Sequence, residues 1–289
     1  MIRYVLPILF LLGLPVAAQN GEVTPNCKSC AEWNTPHDPF RVYGNTFYVG
    51  TGQLSSILIT SDKGDILIDG DLNESAPHIA DHIKALGFKL SDIKLILNSH
   101  AHYDHAGGLS QLQRLTGARV LASPWSAALL KSGRDPKTDP QYGAVKPIAP
   151  VARVGVLKDG QVVHVGSLAL TAHFTPGHTP GGTTWTWEAC ENTRCRNIVY
   201  ADSLTAVSAD GFHFTGSPAV AQFRKSFAVD KALSCDVLLT PHPGFSPVLD
   251  QMIKGEKPDL FADKGACAKL VDDSSAALDK RLAQEKAGK

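Results

Sequence analysis

The chain has 289 residues, 43% of them hydrophobic, and carries 28 Lys+Arg against 28 Asp+Glu, so its formal net charge is zero. That length and apolar share allow a large buried core and sit near the upper size of one domain. The even balance gives no electrostatic footprint for nucleic acid, and no cationic run marks a membrane-surface patch.

In chain order, residues 1–20 read MIRYVLPILFLLGLPVAAQN. Arg3 gives a positive start, Val5 to Leu14 a short apolar stretch, and Val16-Ala17-Ala18 small residues at a cleavage site. Pro7, Gly13 and Pro15 interrupt the apolar stretch, which is short for a membrane span. Residues 1–18 are expected to be a signal peptide that is removed, leaving 19–289 as one exported domain, periplasmic or secreted. Export places the six cysteines in an oxidising compartment. Their even number suits three disulfides. Local spacing favours Cys27–Cys30 and Cys190–Cys195, which leaves Cys235–Cys267. The sequence alone keeps other connectivities open, and also a structural zinc on two close cysteine pairs.

Residues 19–40, polar and proline-bearing, read as an extended lead-in. Short β-rich runs follow at 45–51, 55–60 and 65–70, with Ser61 to Gly64 as a hairpin turn between the last two. Ile79, Ile83 and Leu86 recur at helical spacing within 75–88. IKLILNS (93–99) is a continuous apolar run that suits a buried strand. Gly107-Gly108 opens a helix over 109–115, and 118–123 is the next strand. Residues 131–150 contain four prolines and read as a long loop, a common place for function. A second β-rich series covers 161–166, 168–175, 182–189 and 197–202. Helices near 217–233 and 266–286 flank a strand at 236–240. This order predicts two similar α/β halves around a pair of sheets.

Between the buried strand and the glycine pair lies NSHAHYDHAGG (98–108). His100 and His102 are two apart at a strand end, so both side chains can point the same way. Asp104 and His105 follow at the turn into a helix. Imidazole and carboxylate are the donors zinc takes, and one tetrahedral ion cannot use all four comfortably, so two adjacent ions are expected. His178 in TPGHTPGG and His242 in TPHPG each follow an apolar strand among prolines and glycines, which hold a side chain rigidly. The expected ligand sets are His100, His102 and His178 for one ion, and Asp104, His105 and His242 for the other. Each set leaves open positions, as a catalytic site requires. Of the other histidines, His37, His78, His82 and His213 read as surface or loop residues. His164 and His173 lie in strands, facing solvent or a hydrogen-bond partner.

These pieces together resemble the metallo-β-lactamase superfamily: ILIDG (66–70), SHAHYDH (99–105), PGHTPGG (176–182), YADS (200–203) and the late His242. The resemblance covers essentially all of the expected mature chain. It is strongest to the class B, subclass 3 enzymes, through the complete His-x-His-x-Asp-His string and YADSLTAVSAD (200–210). VYGNTFYVGTG (42–52) and the hairpin WTWEACENTRC (185–195) fit the same group. Ser203 stands where another subclass has a cysteine ligand, and His105 then joins the second zinc. The resemblance implies a four-layer αββα sandwich with two zinc ions. It also implies zinc-dependent hydrolysis of penicillins, cephalosporins and carbapenems by water activated on the ions, with Asp104 both ligand and orienter of that water. Ser203 and Thr205, with Gln141 from the long loop, are implied to hydrogen-bond the substrate carboxylate. Asp69 and Asp202 are expected behind the ligands, orienting them. In glyoxalase II an aspartate in the region of Asp202 bridges both metals, and such a bridge here would change the substrate class. The alternatives are an acyl-homoserine lactonase or another superfamily hydrolase on the same site, a zinc-binding protein without catalysis, and a disulfide-stapled interaction module. The expected partner is a small molecule rather than nucleic acid or membrane. Balanced charge and the lack of heptads leave a monomer as the default.

Overall fold

Alternate residues of the apolar strands pack to opposite sides, and this sorting builds the layers. The computed structural model describes residues 27–260 and 265–288. Its first sheet has seven strands in the order β1 to β7: β1 (Phe40–Tyr43), β2 (Thr46–Tyr48), β3 (Ile57–Ile59), β4 (Asp65–Ile68), β5 (Ile93–Leu97), β6 (Arg119–Ala122) and β7 (Val154–Val156). Pairing is antiparallel from β1 to β4 and parallel from β4 to β7. The second sheet has β8 (Val162–Val165), β9 (Leu168–Phe174), β10 (Thr183–Glu191), β11 (Arg194–Tyr200) and β12 (Val237–Leu239), with β12 beside β11 at one edge.

Ile57, Ile59, Ile66, Ile68 and Leu97 of the first sheet meet Leu170, Trp185, Ile198, Tyr200 and Leu239 of the second in one buried cluster. The intervening Leu58, Leu67 and Ile96 turn outward onto α2 (Ala76–Ala85), α4 (Leu109–Thr116) and α5 (Pro124–Ser132). Behind the second sheet, Val199 and Leu238 pack under the start of α8 (Ala266–Lys286), while α6 (Pro218–Ala232) and α8 face each other through Phe223, Phe227, Val271 and Leu278. The layers are helix, sheet, sheet, helix, as the resemblance implies.

The three disulfides are Cys27–Cys30, Cys190–Cys195 and Cys235–Cys267. The second joins residues directly opposite in the β10–β11 hairpin, and the third ties the lead-in to β12 to the first turn of α8. The lead-in predicted as extended contains a helical turn, α1 (Cys30–Trp33), beside the Cys27–Cys30 bridge, and β1 begins where the lead-in was expected to end. The structure adds α5 and β7 on either side of the predicted long loop. It also adds a helical turn, α3 (Tyr103–Ala106), and α7 (Pro247–Ile253) after β12. The expected signal peptide, residues 1–18, lies outside the described residues. No helix of the described residues is long and apolar enough to cross a membrane.

Candidate metal centre

Four strand ends open onto one edge of the sandwich. Asp69 follows β4, His100 follows β5, Asp202 follows β11 and His242 follows β12, while His178 lies in the loop from β9 to β10. Open α/β sheets commonly bind ligands beyond the carboxyl ends of their strands. His100, His102 and His178 are all buried, and one ring nitrogen of each lies within 4.8 Å of the others.

The second nitrogen of each ring is committed elsewhere. His100 Nδ1 donates to Asp202 Oδ1 at 2.7 Å, His102 Nε2 to Asp139 Oδ2 at 3.1 Å, and His178 Nδ1 to the Thr205 carbonyl at 2.8 Å. The nitrogens left to converge are His100 Nε2, His102 Nδ1 and His178 Nε2. Outer hydrogen bonds of this kind fix the tautomer that presents a lone pair inward. His100 Nε2 is buried without a hydrogen-bond partner, a costly arrangement for an imidazole unless it meets a cation. Burial holds His178 down at about 3 and His100 well below its ordinary value, so both rings are neutral at physiological pH. Burial also pulls on His102, but the Asp139 carboxylate outweighs it and raises its proton affinity.

Asp104 and His105 continue the cluster on α3. Asp104 Oδ2 lies 3.3 Å from His105 Nε2 and 3.3 Å from His242 Nε2. One donor atom each from His100, Asp104 and His105 also fall within 4.8 Å of one another. Burial would raise the Asp104 acid, but the two histidines hold it well below the usual carboxylate range. His242 Nδ1 donates to the Gln53 carbonyl at 3.3 Å, and its ring packs on Trp33 at 5.4 Å. Nitrogen and carboxylate donors with these fixed tautomers fit a zinc-type ion.

Three expected roles change in detail. Asp69 touches no histidine ring. It accepts from Asn98 Nδ2 at 2.9 Å, Ser99 N at 2.8 Å, Ser99 Oγ at 2.6 Å and Tyr200 OH at 2.9 Å. It therefore fixes the turn before His100 and reaches that ring only through Ser99, 3.4 Å from Nδ1. Its own φ is +61°, a left-handed conformation that costs a non-glycine residue free energy and is held by those bonds. The direct orienter of His100 is Asp202, whose Oδ2 leaves no room at Gly182, where a Cβ would come within 2.2 Å. Thr205 is already engaged on His178 through its carbonyl, with its hydroxyl 3.2 Å from the same nitrogen. Gln141, expected to help bind the substrate carboxylate from the long loop, also reaches the histidine cluster itself: its Nε2 lies 3.5 Å from His102 Nδ1 and 3.4 Å from His178 Nε2.

The sequence reading missed Asp139, Trp33 and Gln53. Asp139 had a local signal, an Asp-Pro pair two residues before Gln141. Nothing in the lead-in said that Trp33 would meet a histidine 209 residues on. His37, read as a surface residue, bonds the Ile253 carbonyl through Nε2 at 3.1 Å, and His173 bonds Thr186 Oγ1 at 2.9 Å. A cavity of about 740 Å³ opens over the cluster, lined among others by Trp33, Gln141, Ser203, Val207, His242 and Phe245.

A family profile described as the Metallo-beta-lactamase superfamily matches residues 49–191. The solved structure of MEM-A1, a subclass B3 metallo-beta-lactamase isolated from a soil metagenome library, is 49% identical. The match covers 89% of this chain and 100% of that one, with a TM-score of 0.85. The Rm3 metallo-beta-lactamase is 49% identical over 91% of this chain and 100% of its own, with a TM-score of 0.87. A hydroxyacylglutathione hydrolase of Anaeromyxobacter dehalogenans (strain 2CP-C) is 28% identical over 192 residues, 66% of this chain and 58% of its own. The chain thus spans little more than half the length of that relative.

Proposed function

We propose that this chain, which belongs to the metallo-beta-lactamase superfamily and within it to subclass B3, hydrolyses the amide bond of β-lactam antibiotics on zinc held by its histidine cluster. The observation that carries this is the convergence of His100 Nε2, His102 Nδ1 and His178 Nε2, each ring locked from behind, under a cavity that admits a small molecule.

We assign His100, His102 and His178 to one ion and Asp104, His105 and His242 to a second. Zinc bound there supplies a Lewis acid for the lactam carbonyl and brings the pKa of a coordinated water to about 7. The protein's own part is orientation. Asp202, Asp139 and Thr205 hold the three rings by their outer nitrogens. Asp104, kept ionised by its neighbours, aligns the attacking water through its carboxylate. Ser203 and the Thr205 hydroxyl receive the substrate carboxylate, and the Gln141 amide donates from the loop.

The hydroxyacylglutathione hydrolase reading would place Asp202 between two ions. Its Oδ1 is instead committed to the outer nitrogen of His100 and its Oδ2 abuts Gly182, which favours the lactamase. The test is hydrolysis of a carbapenem and of an acyl-homoserine lactone side by side, with zinc and with a chelator. The expected result is rapid carbapenem hydrolysis that the chelator abolishes; opening of the lactone alone would overturn the assignment. We further propose a monomer exported to the periplasm, which sizing of the purified protein and fractionation of expressing cells test.

A further inference from the structure

One face of α6 lies behind the histidine cluster. Phe223, Ser226 and Asp230 follow one another on it at helical spacing. Phe223 packs under Gly177, where a Cβ would come within 2.6 Å of its ring, and Ser226 Oγ donates to the Pro176 carbonyl at 2.6 Å. Both residues thus brace the loop that carries His178. Asp230, one turn further on, is 2% exposed. Neither of its oxygens has a partner of good hydrogen-bond geometry, a costly state for an acid. It faces the Thr184 hydroxyl of β10, which favours its ionised form. That hydroxyl accepts from Asp202 N at 3.1 Å and lies 3.2 Å from Thr175 Oγ1. A threonine hydroxyl offers two lone pairs and one proton. With Asp202 N and Thr175 Oγ1 as its donors, the proton of Thr184 is left for Asp230. Asp202 in turn accepts from His100 Nδ1 at 2.7 Å. One buried polar line therefore runs from α6 through the second sheet to His100.

We infer that Asp230 is a positioning residue for the ion assigned to His100, His102 and His178: its negative charge, set behind Thr184 and Asp202, tightens the grip of His100 on zinc. This rests on that metal assignment and adds a residue to it. A carboxylate behind Asp202 raises the proton affinity of Asp202. Asp202 then pulls harder on the His100 Nδ1 proton and makes Nε2 a better donor. Burial raises the Asp230 acid to about 7, with Thr184 acting against it, so the charge is present at pH 8 and mostly absent at pH 6. Of the charged and titratable side chains on the neighbouring elements, Lys231 pairs with Asp272 of α8 at 2.6 Å, Arg224 with Asp279 and Lys225 with Asp159. His173, opposite Thr184 on the sheet, bonds Thr186 Oγ1 at 2.9 Å.

The test compares the metal-stripped wild type with Asp230→Asn, which keeps the shape and removes the charge. Two quantities are read: zinc affinity, by competition with a chromophoric chelator at pH 6 and pH 8, and the Tm of the metal-free protein. The affinity should fall about tenfold at pH 8, the lower end for residues that support a metal ligand from behind. The gap should close at pH 6, where wild-type Asp230 is neutral too. The metal-free Tm at pH 8 should not fall, because the variant removes a buried charge without a full partner. Asp230→Leu, which fills the space without a polar group, should repeat both results and carries the test if Asp230→Asn fails to fold. Equal affinities at pH 8, or a gap as large at pH 6 as at pH 8, would overturn the positioning role while leaving the lactamase reading intact. If the unaltered protein binds no zinc at either pH, the metal assignment itself fails, and the role of Asp230 with it.

Discussion

Asp104 is the residue on which both halves of the cluster turn, with one oxygen 3.3 Å from both His105 and His242. Replacing it by alanine should lower carbapenem kcat/KM by about 10³-fold, the range for loss of a positioned proton-handling group, with the circular dichroism spectrum retained. Turnover at the wild-type rate would contradict the role assigned to it. Asp139 acts one layer back, on His102 Nε2. Asp139→Asn should weaken zinc binding about 10–100-fold, as loss of a ligand-orienting carboxylate does; competition with a chromophoric chelator measures it. The six residues assigned as ligands were legible because their chemistry is written in short strings. Asp139 and Trp33 were not. The Asp-Pro pair at Asp139 marks a turn beside Gln141 but not the ring its carboxylate will meet, and the Trp33–His242 contact spans most of the chain.

Elements were legible where an apolar run was long enough to show its period. β5 and the hairpin β10–β11 stand close to the predicted spans, whereas β7, only three residues long, has too few residues to show alternation. Three helices share one start signal: Ser123-Pro124 opens α5, Ser217-Pro218 opens α6 and Ser246-Pro247 opens α7. Proline fits the first helical turn, and in α5 and α7 the serine hydroxyl accepts from the third residue on. Only the longest of the three was predicted, since the shorter pair lack a sustained apolar face. At the other end of the chain, Glu285 fastens α8. It accepts from Phe214 N at 3.0 Å, Thr215 N at 2.7 Å and Arg281 Nε at 2.8 Å. Burial would raise its acid, but the two backbone N–H groups outweigh that and hold it at about 2, against an ordinary 4.5. The clasp is therefore fully present above pH 4.5 and lost as the pH falls toward 2. Glu285→Gln should lower the Tm at neutral pH by about 2–4 °C and narrow the gap to wild type on acidification. A gap that stays constant down to the lowest pH would contradict the clasp.

For the molecule as a whole, zinc bound as proposed would be linked to the fold, because a buried cluster of neutral imidazoles is costly without a cation. Removing the metal should lower the Tm, and saturating zinc should restore it by mass action. Two rings should also be acid-sensitive in the metal-free protein. In the unfolded chain a histidine takes up its proton near 6.5, whereas folded His178 does so only at about 3 and His100 is also held low. At these rings the unfolded state binds more protons across that interval, so their contribution to stability falls as the pH drops below about 6.5. His102, held up by Asp139, works in the opposite sense, as do the acids Asp135 and Asp230, which burial raises to about 6 and about 7. The metal-free Tm of His178→Gln should therefore gain on that of the wild type from pH 7 to 5, and a constant difference would contradict the part assigned to His178. The layered sandwich was legible from the strand order and the motif strings together, while the grip of each ring's outer nitrogen required coordinates.

The most direct measurement is a zinc titration of the metal-stripped protein, with carbapenem hydrolysis and bound metal followed together. The account predicts no hydrolysis before zinc is added and a return of activity that saturates at about two ions per chain, the number the two proposed ligand sets would hold. Full hydrolysis by the metal-stripped protein, or bound zinc that restores none, would contradict it.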